Sequence, residues 1–197
     1  MAESSDQPRV AWMVLAVVMA SLAAHVWTLG GGLLWQDAFH STADGLALDG
    51  YGLLLVWAGI FPDPAAYQLP AWTPLAHSTF FVEQQLWGTS AAAHRAVNLF
   101  LHASSAVVLL LLLRSLGFRA ASVIAMVFAA HPITVGSVGW ISQRPILLCT
   151  LLSLIGTHVL LRWLGVTRSA SSIQSFASLP SDPRRQLALG AAMVLLA

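Results

Sequence analysis

The stretch VAWMVLAVVMASLAAHVWTL, residues 10–29, holds twenty residues without an Asp, Glu, Lys or Arg. An α-helix needs about 20 apolar residues to cross the hydrocarbon of a bilayer, so this segment reads as a membrane span. A signal peptide is the main rival. Ser21-Leu22-Ala23-Ala24 could be cleaved, but Glu3, Asp6 and Arg9 make a poorly basic leading region for one.

The same test applied along the chain finds more spans. Residues 96–113 lie between Arg95 and Arg114 and carry a polar stripe of Asn98, His102, Ser104 and Ser105. Residues 120–141 carry no formal charge, but Pro132 follows His131 and breaks a straight helix. A span ending near His131 is expected there, followed by a re-entrant or interfacial segment. Residues 145–161 form the fourth run, with Pro145 suited to a first helical turn. A fifth begins near Leu187 and is cut off at Ala197. Because membrane proteins rarely stop inside a span, the chain is expected to be a fragment or a truncated product. The fold expected is all-α: a multi-pass membrane helical bundle of four spans plus a truncated fifth, forming one membrane domain over residues 1–197.

Composition agrees with this reading. Of 197 residues, 57% are hydrophobic and 9% charged, against roughly 25% charged in an average soluble domain. The mean hydropathy is +0.75. These values argue against a soluble enzyme and exclude a disordered chain and a collagen. All nine basic residues are Arg and the net charge is +1, leaving no basic block to grip nucleic acid, so no nucleic-acid partner is expected. The single Cys149 allows neither a disulfide framework nor a cysteine-based zinc site within the chain.

Arginine placement sets an expected orientation, since short cytoplasmic loops are rich in basic residues. With the N-terminus inside, Arg9, Arg114, Arg119, Arg162, Arg168, Arg184 and Arg185 are cytoplasmic, and only Arg95 and Arg144 are not. Asp37, Asp44, Asp49, Asp63 and Glu83 then fall in an outer loop, residues 35–95. Inside that loop residues 51–61 are apolar but too short to span, and Pro62, Pro64, Pro70 and Pro74 punctuate the stretch beyond them. Short interfacial helices covering a cavity are expected there. Residues 165–186, rich in Ser, read as a cytoplasmic linker.

Candidate chemistry gathers on the outer side of this topology. Asp37 lies closest to the membrane surface, where a carboxylate could take a proton from an acceptor hydroxyl; it could equally be a polar residue flanking a helix. Arg144 and Arg95 offer a planar fork suited to a phosphate, or they flank spans and snorkel. His131 accompanies Arg144 on the same face. Glu83 is either a second active-site acid or the solvated side of an interfacial helix. Asp37 and Glu83 together could take a divalent ion, but two carboxylates are a weak metal signal, and no cofactor is expected. His25, His102 and His158 lie within spans at no metal-ligand spacing and read as hydrogen-bonding residues between helices.

Several longer strings resemble a known family. Residues 69–80 (LPAWTPLAHSTF), 86–88 (LWG), 94–102 (HRAVNLFLH) and above all 128–144 (FAAHPITVGSVGWISQR) are similar to the N-terminal part of the TMTC-type membrane O-mannosyltransferases and their bacterial relatives. The likeness covers about residues 30–165. Three positions depart from it: Gln36 and Gly136 stand where the family often has acids, and Pro145 stands where it has Lys. Members are GT-C glycosyltransferases with about twice as many spans and a tetratricopeptide-repeat region beyond them.

The resemblance implies transfer of a mannose-like sugar from a polyprenyl-phosphate donor to a Ser or Thr hydroxyl of a protein acceptor on the outer or lumenal face. Asp37 would be the base, and Arg144 or Arg95, with His131, would hold the lipid phosphate. The bilayer would be a bacterial inner membrane, or the endoplasmic reticulum in a eukaryote. Two other functions compete with this one. A non-catalytic membrane scaffold is favoured by the missing second acid, and a transporter fragment would use the intramembrane histidines.

Overall fold

A computed structural model describes residues 7–34, 37, 50–60 and 72–166. Helix α1 is Gln7–His25 and runs on into a 3-10 turn, Val26–Gly30. Then come α2 (Gly50–Ala58), α3 (Pro74–Trp87), α4 (Ala91–Ser115), α5 (Ala121–Ala130), α6 (Thr134–Gly139), a 3-10 turn (Ile141–Gln143) and α7 (Arg144–Trp163). Among the described residues there is no strand.

Three helical stretches are long and apolar enough to cross a membrane: Pro8–Gly30, Ala91–Ser115 and Ile141–Trp163. The expected third span is different. Its helical part, α5, has 10 residues, about 15 Å at 1.5 Å per residue and half the thickness of a hydrocarbon core. Pro132 supplies the physical reason for the break. It has no N–H to continue the helix and forces the preceding residue out of helical geometry; His131 accordingly has ψ 130°. The run then resumes only as the six residues of α6 and the three of the second 3-10 turn. The fifth span, the linker 165–186 beyond Val166 and much of the loop 35–95 lie outside the described residues.

Helix boundaries follow local chemistry. The Ser90 hydroxyl accepts the Ala93 N–H at 3.4 Å, a capping contact that starts α4 five residues earlier than its apolar run. Pro74 opens α3, where its missing N–H costs nothing, and Gly88 closes it at φ 61°.

The chain divides into two compact units. The apolar unit comprises Met1–Ala24, Leu101–His131 and Cys149–Ala197; the polar unit comprises His25–Phe100 and Pro132–Leu148. Val17, Ala106, Leu110, Ala121, Ala125 and Ala129 form the buried core of the apolar unit. The three alanines of α5 recur every four residues, one above another on a single face. Small side chains at that spacing let helix backbones approach closely, which is how helices pack where lipid removes the hydrophobic drive. The terminal carbonyls of α5 have no intrahelical partner, and His102 Nε2 donates to that of Ala129 at 3.1 Å. This intramembrane histidine is thus a hydrogen-bonding residue, as its isolation in sequence suggests.

Candidate functional site

The polar unit holds a buried charge cluster assembled from four distant parts of the sequence. Its organiser is the start of α4, where Asn98 stands four residues after His94 and three after Arg95 and so neighbours both on the helix surface. Arg95 and Asn98 reach into the segment between Val138 and Arg144, while the His94 side chain meets Glu83 and its carbonyl accepts from Arg144.

Arg144 opens α7 and is fully buried. Its Nε–H donates to Asn98 Oδ1. One Nη1 hydrogen goes to Glu83 Oε1, and Nη1 also donates to Thr79 Oγ1 at 3.1 Å. Nη2 donates to Glu83 Oε2 at 3.2 Å and to the His94 carbonyl at 2.9 Å. A guanidinium has five N–H donors, and here all five are engaged. The Phe80 ring lies under the cation, 4.7 Å from centroid to Cζ, which adds a favourable cation–π contact.

Glu83 projects from α3, whose buried residues Ala76, His77, Phe80 and Glu83 follow helical spacing along one face. Besides Arg144 it meets His94, whose Nδ1 lies 2.6 Å from Oε2. An ionised carboxylate only accepts, so Nδ1 carries the proton in this contact. In the neutral ring Nε2 is then a lone pair. It is buried and finds no hydrogen-bond partner among the described residues. Asn98 completes the set by donating from Nδ2 to the carbonyls of Trp140 (2.8 Å) and Val138 (3.3 Å).

Arg95 works on the other side of the same segment. Its Nε–H donates to the Gly139 carbonyl at 2.9 Å, and its two terminal nitrogens donate to the carbonyls of Gly31 and Gly32. A Cβ at Gly31 would sit 3.3 Å from the Thr28 carbonyl and 3.6 Å from the guanidinium. A side chain there would crowd the approach of Arg95. Asp37 faces Arg95 at 3.6 Å and accepts two backbone N–H groups, from Ser142 (3.1 Å, on Oδ1) and Leu34 (3.2 Å, on Oδ2). It is fully buried.

The structure therefore brings Asp37, Glu83, Arg95 and Arg144 into one unit, with the two acids matched by two arginines. His131 is not with them. It is exposed at the end of α5 and belongs to the apolar unit. His94, Asn98 and Thr79 are the members that sequence reasoning passes over. The signal for the first two is their spacing of four residues, visible only once α4 is known to begin at Ala91 rather than at residue 96.

His77, one turn before Phe80, donates from Nδ1 to the Thr73 carbonyl at 2.8 Å. Burial pushes its pKa below the ordinary 6.5, and the bond to Thr73 offsets part of that shift. Among the described residues no group of three or more His, Cys, Asp or Glu side chains is placed to hold a metal ion. Both oxygens of Asp37 and of Glu83 already accept N–H groups. Compared with known proteins, the chain matches no family model, no curated relative and no solved structure.

Proposed function

We propose that the chain is part of a GT-C-type membrane glycosyltransferase module, moving a mannose-like sugar from a polyprenyl-phosphate donor to a Ser or Thr hydroxyl of a protein acceptor. The observation that carries this reading is the meeting of Asp37, Glu83, Arg95 and Arg144 around residues 138–144, the end of the stretch with the most specific resemblance. In this proposal the N-terminus is cytoplasmic, the cluster faces the outer or lumenal side, and the membrane is a bacterial inner membrane.

The chemistry is a single displacement. The acceptor O–H gives its proton to Asp37 as oxygen bonds to the sugar's anomeric carbon, and the bond from that carbon to the polyprenyl phosphate breaks, leaving charge on the phosphate. A positioned guanidinium in a water-poor site would stabilise that charge. Arg144 has no N–H to spare, so binding the phosphate requires exchange of the Glu83 carboxylate for it, one bidentate partner for another. His94 would keep Glu83 in place through Nδ1. Asp37 accepts one backbone N–H on each oxygen, which leaves a lone pair on each for the incoming proton.

The test is Asp37→Asn in the intact protein, in membranes supplied with polyprenyl-phosphate mannose and a Ser/Thr peptide. Transfer should be lost while membrane insertion is kept, and undiminished transfer would remove Asp37 as the base. A second reading, a non-catalytic scaffold, is favoured by the complete internal use of Arg144. It predicts no transfer by the unsubstituted protein and a stable protein partner that co-purifies with it.

A further inference from the structure

Buried polar atoms nearly always have a hydrogen-bond partner, and one that has none asks for a water, a ligand or a functional role. His94 is fully buried near the start of α4, and its Nε2 meets no hydrogen-bond partner among the described residues. The rest of the ring is held from two sides. Nδ1 lies 2.6 Å from Glu83 Oε2, and the Phe80 ring stands edge-on to the imidazole, with centroids 6.0 Å apart and planes at 76°. The carboxylate keeps the proton on Nδ1, which leaves a lone pair on Nε2. A protonated ring would set a second cation on a carboxylate already matched by Arg144 and would leave a buried N–H without an acceptor.

An imidazole with a carboxylate on Nδ1 and an open Nε2 is arranged to receive the hydrogen of an O–H group. The ligand has to bring a donor and, beside the Arg144 cation, no positive charge, which an alcohol satisfies. Position narrows the source. Arg144 Nη2 donates to Glu83 Oε2, the oxygen that also meets Nδ1, and to the His94 carbonyl. A phosphate taken up by that guanidinium therefore lies next to His94, and the sugar esterified to it is the nearest supply of hydroxyls.

We propose that His94 Nε2 accepts a hydrogen bond from a hydroxyl of the donor sugar and so selects the sugar-bearing lipid phosphate over the bare one. The proposal rests on the glycosyltransferase reading and deepens it; no proton is transferred to His94, and Asp37 keeps the role of base. Nε2 is enclosed in this structure, and the exchange of Glu83 for phosphate on Arg144 is the step that opens the cluster while Glu83 stays on Nδ1. A site built around a buried acceptor rejects the ligand that lacks the hydroxyl, because the acceptor is then left unpaired.

The experiment measures binding of polyprenyl-phosphate mannose and of bare polyprenyl phosphate to the intact protein in detergent and takes the ratio of the two affinities. His94→Asn keeps an N–H toward Glu83 at about the place of Nδ1 and removes the Nε2 acceptor. It should lower the ratio about tenfold, the worth of one hydrogen bond to a buried acceptor. His94→Gln sets an amide oxygen at about the place of Nε2 and gives up the bond to Glu83, so it should recover most of the ratio while lowering the thermal midpoint. A ratio unchanged in His94→Asn overturns the proposal, as does a ratio that merely follows the thermal midpoint across the two variants. If the ratio holds and the KM for a Ser/Thr peptide rises about tenfold instead, the hydroxyl belongs to the acceptor and the donor assignment falls. Failure of the unsubstituted protein to bind either lipid overturns the glycosyltransferase reading and this proposal with it, whereas donor binding with an unaltered ratio in His94→Asn overturns this proposal alone. In nitrogen NMR of the histidine-labelled protein Nε2 of His94 should carry no proton; a proton on that atom overturns the proposal whatever the lipids do.

Discussion

The two units handle charge in opposite ways. Among the described residues, the polar unit has two acids and two arginines, all buried, and every one is spent on a partner inside the unit. The apolar unit has four arginines and no acid there, and its interior is built from alanine, leucine and valine. Burying an ion is costly unless a counter-charge and the remaining hydrogen bonds come with it. The polar unit meets that condition residue by residue. The apolar unit avoids the cost by leaving Arg9, Arg119 and Arg162 exposed. Arginines of the same formal charge are therefore placed differently here: Arg95 and Arg144 are buried among partners, whereas Arg9, Arg119 and Arg162 are exposed.

The contrast is tested most severely by Glu83→Ala. It leaves Arg144 buried without its carboxylate and His94 without its acceptor, and should cost about 3–5 kcal/mol, read as a fall in the thermal midpoint of the detergent-solubilised chain. A loss below about 1 kcal/mol would mean that the cluster is not held as a unit. In the apolar unit the sensitive quantity is volume. Ala125→Leu adds bulk to the fully buried alanine stripe and should cost about 1–3 kcal/mol by the same measurement. A neutral result would show that α5 is not closely packed.

The smallest effect belongs to pH. Because the pKa of His77 is lowered in the folded chain, the unfolded chain binds the proton more readily. Its contribution to stability is complete above the ordinary value of 6.5 and is lost as pH falls from there through the folded value. Thermal midpoints measured from about pH 7.5 down to about pH 5 should decline, and His77→Gln should flatten that decline. An unchanged slope in the variant would place the titrating group elsewhere.

Much of the fold is legible because hydropathy is a sum over neighbours. The runs 10–29, 96–113 and 145–161 each lie within a helix long enough to span. The helix start at Ala91 is hidden because His94 and Arg95 end an apolar count, while Ser90 extends the helix through a hydrogen bond that such a count ignores. The third helix ends at Ala130, just before His131 and Pro132, as the sequence predicts, but it starts only at Ala121, and its ten residues leave it shorter than the three helices long enough to span. In the site, Asp37, Glu83, Arg95 and Arg144 can each be picked as costly near a membrane. Their pairings cannot, because the Asp37 contact with Ser142 joins residues 105 apart and nothing local encodes it.

The pairing order along the chain has a consequence for synthesis, which runs from the N-terminus. Asp37 is made before Arg95, and Glu83 before Arg144. A carboxylate waiting in an apolar setting can take up a proton and remain neutral, whereas a guanidinium cannot give its proton away. Each permanent cation of the polar unit therefore leaves the ribosome after the anion that will receive it.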